Sequence, residues 1–162
     1  AVFGCVYKLA ASEDENGVIT PKIKVSENSA KITNPGFKKI YRMYSNTTGK
    51  AEADLITLHE EEIDQSEPLE IFDPEFTWKR RILTDYTARE LLVPIFRSGE
   101  LVYNMPPLEE IRDHCARELA TMWKEVLRFE NPHEYYVDLS QKLWDLKHEM
   151  IARYIKGNRE ES

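Results

Sequence analysis

PKIKVSENSAKITNPGFKKIYR, Pro21 to Arg42, has the most punctuated chemistry in the chain. Lys22 and Lys24 alternate with Ile23 and Val25, the period of two expected of a strand with one wet face. Ser26, Asn28, Ser29, Thr33, Asn34, Pro35 and Gly36 then break the pattern, because Asn, Pro and Gly supply preset or left-handed dihedrals. From Phe37 to Tyr44 an extended run resumes and carries Lys38, Lys39 and Arg42. Two readings of this lysine-rich turn stand. Backbone N–H groups and ammonium groups converging on the loop would hold an anion, with Lys24 and Lys31 on either side of the SEN segment as the contacts. A solvated edge hairpin whose lysines deter edge-to-edge pairing fits the spacing better.

Outward from this stretch, short strands dominate. Val2 to Ala11 reads as a strand, Ser12 to Gly17 as a turn and Val18 to Val25 as its return. Downstream, SNTTGK (Ser45 to Lys50) separates the runs Lys39–Tyr44 and Ala51–Leu58, a second hairpin signal. The Glu60-Glu61-Glu62 run with Asp64 reads as a solvated loop. Ile71-Phe72 and Trp78 to Leu83 flank an Asp73-Pro74 turn, and Thr87 to Phe96 with Leu101 to Tyr103 flank Ser98-Gly99. Pro94 belongs at an edge or bulge, where no ladder hydrogen bond is donated.

From Pro106 the period changes. Leu108, Ile111, Cys115, Leu119, Met122 and Val126 recur at spacings of three and four, the stripe of an amphipathic helix with Pro107 in its first turn. Asn131-Pro132-His133-Glu134 predicts a second helix with Asn at the cap and Pro at N1. Its stripe is Leu139, Leu143, Leu146, Met150 and Tyr154, and Gly157 ends it before a short tail. Strands first and helices last predict an α+β fold of antiparallel hairpins followed by an antiparallel helix pair. The expected division is a β-rich region over 1–105, the helical pair over 106–157 and a tail over 158–162.

At 162 residues, 41% hydrophobic and 31% charged, the chain has the make-up of a globular domain with one core. Its 29 acidic residues outnumber 22 basic ones, giving a net charge of −7 that argues against a nucleic-acid surface. Cys5 and Cys115 are too few for a disulfide framework or a structural zinc site and read as buried thiols, which fits a cytoplasmic setting. Leu91 to Phe96, the longest apolar run, is too short to span a bilayer, and no secretory signal is present. The chain opens directly into a strand-like run, which suggests a fragment.

Catalytic signatures are missing from this sequence. No HExxH, GxSxG, phosphate-binding glycine loop or GxGxxG appears. Glu110 and His114 share a helix face without a second ligand nearby, and His133 sits in the expected first turn of the second helix. The carboxylate pairs Glu130/Glu134 and Asp138/Asp145 read as helical surface charge. Tyr135, Tyr136 and Trp144, at helical spacing, read as core rather than as a stacking platform. Lys79-Arg80-Arg81 is a compact basic patch that would steer a phosphorylated substrate, but a solvated strand face is the simpler account.

Four blocks carry a resemblance: VYKLAA (Val6 to Ala11), IKVSENSAKITNPGFKKIYR, TDYTARELLVPIF (Thr84 to Phe96) and FENPHEYYVDLSQKLWDLKHE (Phe129 to Glu149). In order and nearly without gaps, they resemble the C-terminal part of the longer bacterial form of nicotinate phosphoribosyltransferase. The resemblance implies a piece of an enzyme with an α/β barrel and a second, sheet-containing domain built from both chain ends. It also implies the chemistry of the parent: nicotinate and phosphoribosyl pyrophosphate give nicotinate mononucleotide and pyrophosphate, coupled to ATP hydrolysis through a phosphorylated histidine. Magnesium on the pyrophosphate, active sites at a homodimer interface and the upstream barrel as this chain's partner follow from the same resemblance. The family's phosphorylatable histidine, nicotinate-binding arginine and phosphate loop lie upstream of the matched region, and no histidine here matches the catalytic one. The expectation is therefore a chain with no catalytic residues and no activity alone, with Lys24 and Lys31 as its anion contacts; the alternative is a stand-alone acidic α+β module that docks a partner through its helix pair or binds a regulatory anion.

Overall fold

The structure, a computed structural model, describes residue 4 and residues 6–28 and 31–160, with side chains described to residue 157. Its fold is α+β, as expected, with ten short strands and two helices among the described residues. Contacts divide the chain into two compact units. The first comprises the described parts of Ala1–Lys39, Ile56–Glu62 and Leu139–Ser162, and the second comprises Ile40–Leu55 and Ile63–Asp138. Residues 106–157 are shared between both units, so the two helices fall in different ones.

In the first unit, β1 (Ala11–Glu13) and β2 (Ile19–Pro21) form an antiparallel hairpin in the register Ser12↔Thr20. Asp14 closes its turn by accepting from the N–H groups of Asn16 and Val18, both at 2.9 Å. The hairpin is where the sequence puts it, but it is shorter. Val6 to Ala10 are not in a strand, and the expected start at Val2, like Cys5, lies outside the described residues. Lys22 to Val25 is also not a strand. Thr33 competes for its backbone: Lys24 N–H donates to Thr33 Oγ1 at 2.9 Å and Thr33 N–H returns to Lys24 C=O at 3.3 Å, a loop closure that replaces a ladder.

The Asn34-Pro35-Gly36 turn is tightly held. Gly36 has φ +88, its N–H donates to Ala10 C=O at 2.7 Å, and Pro35 and Gly36 are buried. Lys38 Nζ donates to the carbonyls of Asn34 at 2.9 Å and Gly36 at 2.6 Å.

A four-stranded sheet in the order β10-β4-β3-β7 supplies most of the second unit, residues 38–39, 56–58 and 139 of its strands counting with the first. β3 (Lys38–Ser45) and β4 (Ala51–Leu58) flank the expected SNTTGK hairpin, closed by Ser45 N–H to Lys50 C=O at 2.9 Å. β7 (Tyr86–Glu90) pairs antiparallel with β3 in the register Met43↔Ala88. β5 (Leu69–Phe72) and β6 (Arg80–Leu83) form the hairpin expected around Asp73-Pro74, and β8 (Phe96–Arg97) with β9 (Glu100–Leu101) forms a minimal one around Ser98-Gly99. Pro94 ends the β7 run instead of lying in it, since residues 91–95 are outside any strand. The core of this unit is Tyr41, Met43, Ala53, Leu55, Ile71 and Tyr86. Each large side chain buried there contributes about 1.5–3 kcal/mol.

α1 (Leu108–Thr121) starts at Pro107, as expected, and carries Glu109 and Glu110 in its first turn, where they suit the positive end of the helix dipole. It lacks basic residues in its last turn. Lys50 from the β3–β4 turn takes that role, donating to the carbonyls of Ala120 at 2.7 Å and Met122 at 3.2 Å. The helix stops before Met122 and Val126, and its stripe is not buried: Leu108, Ile111 and Leu119 are exposed, as is Cys115, against the expectation of a buried thiol.

The largest departure is at Asn131. Its φ of 46 is left-handed, whereas a helix N-cap requires an extended residue, so no helix starts there. The chain instead runs out to β10 (Val137–Leu139). Asp54 N–H donates to Tyr136 C=O and Ser140 N–H to Ile56 C=O, both chains advancing together, so β10 runs parallel to β4. α2 (Gln141–Glu160) follows at once, with Ser140 as its cap: Leu143 N–H donates to Ser140 Oγ at 3.2 Å. Leu143 is fully buried and Tyr154 is exposed. Gly157 lies inside α2, not at its end, because its φ is not left-handed and the helix continues to Glu160.

Candidate functional site

The basic residues of the opening stretch divide into two groups. Lys38 is spent on turn carbonyls, and burial pulls its ammonium below the usual lysine range. Lys39 pairs with Glu62 at 2.6 Å. Arg42 enters the ion network described below. Lys24 and Lys31, the residues chosen as anion contacts, are exposed on one loop and make no side-chain ion pair among the described residues. Both lie on the loop that follows β2.

The Lys79-Arg80-Arg81 patch is neutralised one residue at a time. Lys79 faces Asp73 at 3.9 Å, Arg80 pairs with Glu70, and Arg81 Nη1 pairs with Glu52 at 3.5 Å. Each also lies over an aromatic ring: Lys79 over Phe76, Arg80 over Phe72 and Arg81 over Tyr136. A patch already matched by carboxylates does not steer phosphate.

Two features of the second unit were not legible in the sequence. The first is an ion network on the sheet, buried at Asp54 and half-buried at Arg42 and Glu118. Arg42 grips Asp54 with two parallel bonds, Nε to Oδ1 at 2.8 Å and Nη2 to Oδ2 at 2.9 Å. Its Nη1 reaches Glu118 at 3.2 Å, and Arg89 Nη2 donates to the same carboxylate at 2.6 Å. Tyr135 adds an O–H bond to Asp54 at 3.0 Å. The charges respond as the contacts dictate. The bond from Arg89 holds the Glu118 carboxyl below the usual range, and burial beside Asp54 pushes the Tyr135 phenol well up. Two arginines against two carboxylates leave no net charge and no vacant position, so this network is a clamp on β3, β4, α1 and residue 135 rather than a proton-transfer device.

The second feature is a groove of about 720 Å³ lined by Glu52, Asp73, Phe76, Lys79, Arg81, Trp123, Glu125, His133, Tyr136 and Asp138, among others. His133 is placed there by its N–H bond to Glu125 C=O at 2.9 Å. Tyr136 is half exposed along the groove and Tyr135 belongs to the ion network, so neither belongs to a helix core as spacing suggested. Neither feature presents a nucleophile beside a base. Among the described residues no three His, Cys, Asp or Glu side chains gather as a metal site.

Residues 37–147 match the family model described as nicotinate phosphoribosyltransferase C-terminal domain. The chain belongs to the nicotinate phosphoribosyltransferase family. It is 36% identical over 148 residues to the nicotinate phosphoribosyltransferase of Bacillus subtilis and 33% identical over 147 residues to that of Caenorhabditis elegans. These alignments cover 91% and 90% of this chain but only 30% and 25% of the two relatives. A crystal structure of human nicotinic acid phosphoribosyltransferase superposes with a TM-score of 0.67 at 25% identity, covering 74% of this chain and 24% of that one. Within this nicotinate phosphoribosyltransferase C-terminal domain, the matched residues include the whole ion network and groove. Lys24 and Lys31 lie before the match begins. Among the described residues no helix is long and apolar enough to cross a membrane.

Proposed function

We propose that this chain completes an enzyme that joins nicotinate to phosphoribosyl pyrophosphate, releasing nicotinate mononucleotide and pyrophosphate with ATP hydrolysis, and that it does not turn over alone. The observation that carries the reading is the match of residues 37–147 to the C-terminal domain of the family, combined with coverage of under a third of each relative. In this reading the upstream barrel supplies the catalytic histidine and the nicotinate contact. The departing pyrophosphate gains charge as the ribosyl carbon becomes cation-like, and magnesium and cationic groups offset that charge. In this reading magnesium sits on the pyrophosphate and is held by upstream ligands. Lys24 and Lys31, exposed and without side-chain ion pairs among the described residues, are the groups of this chain assigned to the anion. A cytoplasmic homodimer is the assembly proposed.

The test is nicotinate mononucleotide formation from nicotinate, phosphoribosyl pyrophosphate, ATP and magnesium, with this chain alone and with the upstream portion added. Product only in the mixture is expected. Product from this chain alone would place catalytic residues here and overturn the reading, as would an upstream portion whose rate is unchanged by this chain. In the active mixture, Lys24→Ala with Lys31→Ala should raise KM for phosphoribosyl pyrophosphate several-fold; an unchanged KM removes both lysines from the site.

A further inference from the structure

The groove of the second unit is more acidic than its ion pairs can absorb. Six carboxylates line it against Lys79 and Arg81. Glu52 is matched by Arg81, Asp73 by Lys79 and Glu125 by Arg128 at 3.8 Å, which leaves Glu75, Glu134 and Asp138. Surface acids alone would mean little, since water solvates them. Asp138 is different: the residue is only 3% exposed, and its carboxylate, to which no described group donates a hydrogen bond and which sits in no ion pair among the described residues, faces the groove. Arg81 is close enough to be felt electrostatically, but its guanidinium is committed to the Glu52 carboxylate and, at 3.2 Å, to the Glu52 carbonyl. A carboxylate so little exposed and without a protein donor is only partly solvated, and a charged donor entering from the groove improves on that.

The walls suit the same kind of visitor. Arg81 lies 4.6 Å from the Tyr136 ring centre and Lys79 lies 4.2 Å from that of Phe76, so the aromatic lining already accommodates both basic side-chain types. Trp123 is 39% exposed in the same lining.

We propose that this groove binds a guanidinium or primary ammonium group, with Asp138 as its buried acceptor and Glu134 and Glu75 as the charge at the rim. An anionic ligand is disfavoured by the uncompensated acids. A neutral aromatic one would leave Asp138 unsatisfied. The cation comes either from a small organic molecule or from an Arg or Lys side chain of the remaining enzyme, and both present the same chemistry.

The experiment titrates N-acetyl-arginine methylamide, and its uncharged citrulline counterpart, into the chain at pH 7.5 and fixed ionic strength. Backbone amide shifts around Arg81 and residues 134–139 are the readout. Saturable shifts confined to the groove are expected, at least tenfold weaker for citrulline and for Asp138→Asn. Glu134→Gln, at an exposed position that does not endanger folding, should weaken binding two- to threefold. A parallel arm adds the upstream portion and measures its association with wild type and Asp138→Asn; a loss of at least tenfold assigns the cation to the enzyme itself. The first arm stands independently of the enzymatic reading. Equal binding of the two probes overturns the proposal, and so does saturation in neither arm.

Discussion

Gly36→Ala separates two costs that meet at one turn. With φ +88, position 36 is in the left-handed region, where a side chain costs about 1–2 kcal/mol. The added Cβ would also lie 2.7 Å from Leu58 Cδ2, with Leu146 Cδ2 at 3.7 Å. Leu58 Cδ2, the far end of a flexible and half-buried side chain, must shift, which adds at most about 1 kcal/mol. The expected total is about 1–3 kcal/mol. Gly17→Ala is the control, because Gly17 has φ +79 but its Cβ would meet Glu13 at an ordinary 3.6 Å. That variant carries the backbone cost alone, about 1–2 kcal/mol. Both are measured by urea unfolding followed through Trp144, in the same compact unit, with Trp78 and Trp123 replaced by Phe. At a slope of about 2 kcal/mol per molar, the midpoint of Gly36→Ala should fall by roughly 0.5–1.5 M. Shortening Leu58 to Val should recover part of the loss in Gly36→Ala and none in Gly17→Ala. Equal midpoints for the two glycine variants would refute the packing argument.

Removing Asp54, as Asp54→Ala, leaves the half-buried Arg42 without its two-bond partner and Tyr135 without its acceptor, so a loss of about 3–5 kcal/mol is expected in denaturant melts. A loss under 1 kcal/mol would mean that the network is solvated rather than buried. Thr57 is fully buried, with an Oγ1 that finds no partner among the described residues; Thr57→Val should therefore stabilise by about 1 kcal/mol, and destabilisation would reveal an acceptor or donor for that hydroxyl. For Asp138, burial pushes the carboxyl up to about 6, opposed by Arg81 and helped by Asp73. Its folded form holds the proton more tightly than the unfolded chain, so its effect on stability becomes progressively less favourable as pH rises from about 4 through about 6. Asp138→Asn should flatten that part of the stability–pH curve and gain at most about 3 kcal/mol at pH 7. An unchanged curve would show that Asp138 titrates normally.

Local signals in the sequence were sufficient for the hairpins. Asn, Gly and Pro at Asn46–Gly49, Asp73-Pro74 and Ser98-Gly99 impose dihedrals that few other conformations accept, and the observed hairpins lie there. The same holds for α1, whose Pro107 start and period are encoded within one segment. The family, too, is carried by residues in order along the chain. What the sequence left undecided depends on partners far along it. Asn131-Pro132 has the composition of a helix start, but β10 pairs with β4 some eighty residues earlier, and that ladder pulls the segment into an extended form (about eighty by the Asp54–Tyr136 bond). Lys22–Val25 alternates like a strand and loses its ladder to Thr33. Arg42, Asp54, Arg89 and Glu118 become one network, and Asp138 becomes a buried acceptor, only when strands distant in sequence lie side by side. Period and turn chemistry act within a few residues of themselves; burial and charge pairing are properties of what the fold brings near, and only tertiary structure decides them.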